Sequence, residues 1–372
     1  MAKTRAVNIL VPGSTIGILG GGQLGRMLSL AAARLGFKSH VYSDEPDSPA
    51  FEVSARSTQG SYSDLPHLEA FAREVDVVTY EFENVPVTVA QQLSEMVDVR
   101  PGARALEVAQ DRFVEKEFVA GLGIAVAPFA EVSHRRDLVA ALERLAGPGA
   151  ILKTRRLGYD GKGQVALGAD ADPAAALATL GHRPAILEQR VQFEFEISVL
   201  VVRSVDGECA FYDCPANSHE GGILRRSVVP AQLPREVVGE ARDIAAKIAS
   251  ALDYVGVLAV EMFYAGSGCR PRLMVNEIAP RVHNSGHWTI EACGCSQFEN
   301  HIRAVAGWPL GDTRRHSDAE MVNLIGEEAN WWQGLAGEPG VCLHLYGKRD
   351  AREGRKMGHW TRLSPRRDGA ES

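Results

Sequence analysis

The sequence has no GxxxxGK[ST] run, which excludes a P-loop nucleotide site. Nor does any stretch approach the roughly eighteen uninterrupted apolar residues that a membrane-spanning helix needs, so no membrane partner is expected. Its six cysteines, Cys209, Cys214, Cys269, Cys293, Cys295 and Cys342, never fall in CxxC spacing. That excludes a zinc ribbon, offers no disulfide framework and suits a reducing, cytoplasmic compartment. Basic charge is also short, with 40 Lys and Arg against 47 Asp and Glu for a net charge of -7. A dedicated nucleic-acid binder would show the opposite balance. There is no internal repeat and no low-complexity tract. The segment Met1 to Gly13 carries Lys3 and Arg5 before a short apolar run but no small-residue cleavage pattern, and reads as a ragged terminus rather than a signal peptide.

What is present fills two or three compact domains: 372 residues, 45% hydrophobic and 23% charged. An apolar run from Thr15 to Leu19 meets a glycine cluster, a helical pattern follows from Gln23 to Leu35, and a second strand is expected around His40 to Tyr42. That order is a βαβ opening. With a buried strand at Val75 to Thr79 and a helix at Val87 to Met96, it makes a small parallel α/β domain. Further on come a charged helix at Gln110 to Gly121, a strand at Val126 to Val132 and an Ala/Leu/Arg helix ending at Leu145. Short β-type runs then dominate: Ala150 to Lys153, Val165 to Leu167, Ala185 to Glu188, Glu196 to Val202 and Glu208 to Tyr212. Val257 to Tyr264 and Arg272 to Ile278 flank the turn Ala265 to Cys269 as a hairpin. Met321 to Ile325, Val341 to Tyr346 and His359 to Leu363 form a β-rich tail, and the polar end, Ser364 to Ser372, frays.

Gly20, Gly22 and Gly25 satisfy GxGxxG between strand and helix, with Asp44 and Glu45 near the end of the second strand. Three readings stay open there: a dinucleotide, the phosphate of another ligand at the helix N-terminus, or tight strand-to-helix packing. The run Lys153 to Gln164 joins a strand-borne lysine to Gly158, Gly161 and Gly163, whose backbone can approach phosphates. A solvated basic hairpin is the alternative, but an unpaired charge ending an apolar strand is costly. Glu188 and Gln189 end one strand and Glu196 lies on the next, suited to an adenine edge and a ribose hydroxyl, although isolated glutamates are commonly surface groups. Glu261 and Glu277 interrupt two apolar strands. Carboxylates are expensive to bury alone, and magnesium with nucleotide phosphates supplies the missing partner. Exposure on an edge strand is the other possibility, and the hairpin register is not readable from sequence. The loop leaving the second strand places Arg281, His283, Asn284 and Ser285 within five positions, donors able to hold a planar oxyanion and a ribose. Lys348, Arg355 and Lys356 taken alone read as a solvated basic face.

In this order the pieces resemble the ATP-grasp superfamily and, within it, the N5-carboxyaminoimidazole ribonucleotide synthetases of purine biosynthesis. The resemblance is carried by GILGGGQLGRML (Gly17 to Leu28), TYEFENVP (Thr79 to Pro86), YDGKGQ (Tyr159 to Gln164) and NEIAPRVHNSGHWT (Asn276 to Thr289), and it covers nearly the whole chain. It implies α/β and α+β architecture: a Rossmann-like pre-ATP-grasp domain over 1–108, an ATP-grasp domain over 109–312 with a lid at about 125–202, and a small β-rich domain over 313–372. It further implies joining of 5-aminoimidazole ribonucleotide and bicarbonate with ATP and Mg2+, in a homodimer. ATP contacts would fall on Arg112, Lys153, Tyr159, Asp160, Gly161, Lys162, Gly163, Gln164, Val165, Glu188, Gln189, Arg190, Val191, Glu196, His219, Asn276 and Glu277. Glu261 and Glu277 would hold the metal. Gln23, Leu24, Glu81, Asn284, Lys348, Arg355 and Lys356 would contact the ribonucleotide. Arg281, His283 and Ser285, with Tyr159 and Lys162, would meet bicarbonate and its phosphorylated form, and the catalytic set would be Lys153, Arg281, Tyr159, Lys162 and His283. At the strand end, backbone groups near Arg190 are favoured over its side chain. Competing readings are a formate-dependent glycinamide ribonucleotide enzyme, a nicotinamide-dependent oxidoreductase and a non-catalytic nucleotide sensor.

Overall fold

The computed structural model describes residues 8–145, 147, 149–158, 161–168 and 171–367; Tyr159 and Asp160, both expected at the phosphate loop, lie outside them. Among the described residues no helix is long and apolar enough to cross a membrane.

The opening segment forms a parallel sheet from β1 (Thr15–Leu19), β2 (Lys38–Ser43), β3 (Arg56–Gln59) and β4 (Val77–Tyr80), in the order β3-β2-β1-β4. Ile16 and Ile18 on β1 and Val41 on β2 are fully buried, together with Leu28 of the helix Gln23–Arg34. They share a core with Phe298 and Ile302 of the helix Gln297–Val305, which ties this sheet to the rest of the chain. The strand β3 has no apolar residue, so its sequence gives no sign of it.

A second sheet is antiparallel: β5 (Phe129–Val132), β6 (Ala150–Thr154), β7 (Gln164–Leu167) and β8 (Ala185–Gln189), ordered β5-β8-β6-β7. It is closed by Leu138 and Ala141 of the helix Arg135–Leu145 and by Leu177 of the helix Pro173–Thr179. The strand expected from Val126 begins only at Phe129. Pro128 has no N–H for the ladder, and its carbonyl instead accepts from the Gln189 amide at 2.8 Å.

The remaining strands are β9 (Phe195–Arg203), β10 (Cys209–Phe211), β11 (Ala216–Glu220), β12 (Ile223–Val229), β13 (Gly256–Tyr264), β14 (Leu273–Ala279), β15 (Asp318–Ile325), β16 (Val341–Leu345) and β17 (Lys356–Ser364). They run β14-β13-β9-β11-β12-β15-β17-β16, with β10 also on β9. The β-rich tail therefore continues the sheet of the preceding region, through pairs such as Arg226 with Val322. The hairpin register is fixed as well: Glu261 on β13 stands opposite Glu277 on β14. Directly opposed residues share a face. Behind the sheet lies the helix Arg235–Ala251, whose Val237, Ala241, Ala245 and Ile248 are fully buried.

Candidate active site

At the first glycine turn, Gly20 has φ +106°, and a Cβ there would lie 2.4 Å from Glu81 Cγ. Only glycine lets the chain turn this close to that carboxylate. The Gly22 and Gly25 amides donate to Glu81 at 2.7 and 3.1 Å. Amides that would meet a pyrophosphate at the start of the Gln23–Arg34 helix are thus taken by the protein's own acid. The dinucleotide reading, which needs those two amides free for a pyrophosphate, is corrected on that ground. Glu81 is buried, and burial raises its carboxyl above the usual range despite the two amide bonds. Leu24 is buried beside it and Gln23 is partly exposed at the helix start.

At the end of β6, Lys153 is buried and donates to Glu188 on β8 at 3.0 Å. The same carboxylate oxygen lies 3.5 Å from Lys116 Nζ, and Lys116 also donates to the carbonyls of Val275 and Asn276 at 3.3 and 2.7 Å. Burial alone would raise the Glu188 carboxyl, but Lys153 and Lys116 outweigh it and hold it down at about 2. The other Glu188 oxygen is buried without a protein partner. The expected cost of burying Lys153 is therefore met by a second strand, and the cluster still has an acceptor to offer. Next along, the Gln189 and Arg190 amides donate to the Pro128 and Gly149 carbonyls. Those two N–H groups serve the protein, which narrows the expected backbone contacts at this edge; Val191 is partly exposed beyond them.

Arg112 spans the two halves of the site, donating to Glu277 at 2.9 Å and to the Gly158 carbonyl of the phosphate loop at 3.1 Å. The loop's Lys162 and Gln164 are exposed, with Gly163 and Val165 partly so. Gly161, at φ +74°, passes so near the Gly221 carbonyl that a Cβ would sit 2.4 Å from it, which seats the loop on the β11–β12 hairpin.

Glu196, His219 and Glu261, from β9, β11 and β13, bring their ligand atoms within 4.8 Å of one another. His219 Nδ1 is 3.2 Å from Glu196, and Glu261 is 3.0 Å from His283 Nε2. Burial would raise Glu261, yet His283 pulls it down to about 2. Next to it, Glu277 keeps a side chain 39% exposed, so one acid of the pair is sunk in the sheet and the other faces the cleft. Oxygen ligands from neighbouring strands on one face, one held ionised, fit a hard divalent cation.

His283 Nδ1 meets Ser285 Oγ at 2.8 Å, and that hydroxyl meets Ser198 at 2.6 Å. The expectation that Ser285 touches the anion is corrected here. The residue is fully buried and both its contacts are internal, so it steadies His283 from beneath. Asn284 differs: it is buried, and neither atom of its carboxamide has a protein partner. Asn276 Oδ1 is likewise buried and unpaired. Buried polar atoms without a partner also occur elsewhere in the chain, at Ser29 and Trp288 for example, so what distinguishes Asn276 and Asn284 is their place beside Glu277 and His283, where a bound ligand or water can complete the bonding.

Arg281 is gripped by Glu83 through two nitrogens, one at 3.1 Å. Arg281 holds the Glu83 carboxyl down at about 2 against the upward pull of burial. From the far end of the chain, Lys348 stacks 5.7 Å over Tyr346, donates to the Lys356 carbonyl and lies near enough to Glu81 to act on it. Neighbouring Arg349 pairs with Asp47 at 2.8 Å. Lys348 and Arg349 are therefore brought toward the first glycine turn rather than spread on a free face, while Arg355 and Lys356 are partly buried, Arg355 donating to the Asp350 carbonyl at 3.0 Å. Sequence reasoning overlooked Lys116, Glu83 and Gln110. Glu83 lies inside a quoted motif, and Lys116 falls on the buried side of an otherwise charged helix, a signal that the helical pattern carries.

Three family profiles match: a ribonucleotide synthetase preATP-grasp domain over residues 13–110, an ATP-grasp domain over 117–298 and a phosphoribosylaminoimidazole carboxylase C-terminal domain over 319–372. The chain is 51% identical to N5-carboxyaminoimidazole ribonucleotide synthase of Brucella melitensis, covering 96% of this chain and 98% of that one. It superposes with a TM-score of 0.91 on the Staphylococcus aureus N5-carboxyaminoimidazole synthetase solved with ADP, at 36% identity over 96% and 95% of the two chains. The Aspergillus clavatus synthase solved with ADP and 5-aminoimidazole ribonucleotide gives 0.89, at 32% identity over 97% and 96%. On these grounds the chain belongs to the N5-carboxyaminoimidazole ribonucleotide synthase family of ATP-grasp ligases.

Proposed function

We propose that this chain carboxylates 5-aminoimidazole ribonucleotide with bicarbonate and ATP, giving N5-carboxyaminoimidazole ribonucleotide, ADP and phosphate. The observation that carries the reading is the convergence of Glu261, Glu277, Arg112 and Lys153 on one cleft whose Asn276 and Asn284 have buried polar atoms left unpaired.

Bicarbonate is a poor electrophile. Its oxygen attacks the γ-phosphorus of ATP, forming carboxyphosphate as the bond to ADP breaks. The negative charge of the transferring group needs fixed cations, a role suited to Lys153 and Arg281, which Glu188 and Glu83 already hold in place. Glu261 and Glu277, with Asn276 beside them, would hold Mg2+, which neutralises phosphate charge when bound. Carboxyphosphate then splits into carbon dioxide and phosphate. The substrate amine attacks the carbon dioxide and loses its proton to the phosphate. Both intermediates are lost to water, so the glycine-rich loop and the lid over about 125–202 must close before transfer. At the opposite wall, Gln23, Leu24, Glu81, Asn284, Lys348, Arg355 and Lys356 would hold the ribonucleotide. We place the enzyme in the cytoplasm as a homodimer.

ADP release measured with each substrate withheld in turn tests this. Release should require both bicarbonate and the ribonucleotide. Release with formate and glycinamide ribonucleotide instead, or thermal stabilisation by NAD but not by Mg-ATP, would overturn it.

A further inference from the structure

We infer that Gln110 is a positioning residue that couples the phosphate loop to Arg281, so that ATP cleavage stays in step with carboxylation; this rests on the carboxylation reading above. Gln110 caps the C-terminal end of the helix Ala103–Ala109 and is buried. Its amide nitrogen donates to the Glu83 carbonyl at 2.9 Å and to the Val85 carbonyl at 2.6 Å. Its oxygen accepts from Arg156 at 2.7 Å. Turning the amide over would set its oxygen against two carbonyls and its N–H groups against a guanidinium, so one orientation alone satisfies the surroundings.

That fixed amide stands between the segment leading into the phosphate loop and the Glu83–Arg281 pair. On one side, Arg156 lies two residues before Gly158, whose carbonyl Arg112 ties to Glu277. On the other, Glu83 grips Arg281, the guanidinium that the carboxylation reading assigns to the transferring group. The path from phosphate loop to Arg281 thus runs through three side chains, Arg156, Gln110 and Glu83, with the Glu83 backbone as the middle step. When Arg156 engages Gln110, the backbone at Glu83 is clamped and its carboxylate is held on Arg281. With the clamp absent, the loop can admit ATP while Arg281 wanders. Carboxyphosphate formed in that state meets water and returns bicarbonate and phosphate, consuming ATP without product.

The test compares ADP released with labelled bicarbonate carbon fixed in the product, at initial rates, for the wild type and Gln110→Leu. The wild type should give a ratio of one, and Gln110→Leu should raise it roughly fivefold or more while the KM for ATP changes little. A residue that only supported the fold would lower turnover and leave the ratio at one. Should Gln110→Leu fail to fold, Arg156→Gln removes the same bond from the exposed side and should raise the ratio too. A ratio of one in whichever variant folds overturns the coupling. A wild type whose ADP release ignores the ribonucleotide would instead sink the carboxylation reading, and the coupling with it.

Discussion

At the first glycine turn, Gly20 to Gly25, the backbone amides point at Glu81, and the protein fills its own anion position. At the second, whose described residues are Gly158 and 161–163, the Gly158 carbonyl is tied to Arg112 and through it to Glu277, next to Asn276 with its unpaired buried oxygen; Glu188 and Asn284 carry further unpaired buried atoms. Both turns place glycines where the backbone can come close to an anion. The difference is whether a carboxylate from a neighbouring strand has already arrived. A glycine fingerprint therefore marks a backbone shape, and the identity of the anion depends on residues far away in sequence, here Glu81 on the segment after β4.

The contrast breaks most severely at the second turn. Lys153→Ala should lower ribonucleotide-dependent ADP release by on the order of a thousandfold, as loss of a fixed cation at a transferring phosphoryl group does. Near-wild-type release would refute the role given to this lysine.

Acid should separate the two regions next. The Glu188 carboxyl sits at about 2 in the fold and at about 4.3 in the unfolded chain, so the stability it contributes is present above the unfolded value and lost as pH falls toward 2. The loss is on the order of 3 kcal/mol, and Glu188→Gln should flatten that part of the stability curve. Glu81 has the opposite sign. Its raised carboxyl favours folding at low pH and opposes it as pH climbs through the folded value. Urea unfolding between pH 2 and 6 reads both; an unchanged slope in Glu188→Gln would contradict the assignment.

Gly20→Ala tests the closed turn. The added Cβ would strike the Glu81 side chain at a left-handed φ, costing roughly 2 kcal/mol of stability. Thermal melting within a degree of the wild type would show that the approach is slack. The smallest effect belongs to the basic tail: Lys348→Gln should raise the KM for the ribonucleotide about tenfold and leave that for ATP unchanged. Equal changes in both would remove the tail from the ribonucleotide wall.

Much of the frame was legible. β1 carries Ile16, Ile18 and Leu19 within five residues and the helix Gln23–Arg34 shows its periodicity, so both are readable locally. β11, with the sequence ANSHE, is not: it earns its place in the sheet through pairing with β9 and β12. At the site, Glu261 and Glu277 stand out because charge is rare inside apolar strands, and the register that sets them opposite each other came only with the fold. Ser285 was misread because a serine in a polar loop looks the same whether it faces a ligand or, as here, Ser198 and His283. Lys116 and Glu83 escaped because their meaning lies in partners on distant segments, Glu188 and Arg281.

The central chemical claim is transfer of the ATP γ-phosphoryl group to a bicarbonate oxygen. Supplying bicarbonate labelled with heavy oxygen and weighing the inorganic phosphate released during turnover tests it most directly. The account requires one labelled oxygen to appear in the phosphate per product formed. Phosphate carrying only the oxygens of ATP and solvent would contradict it.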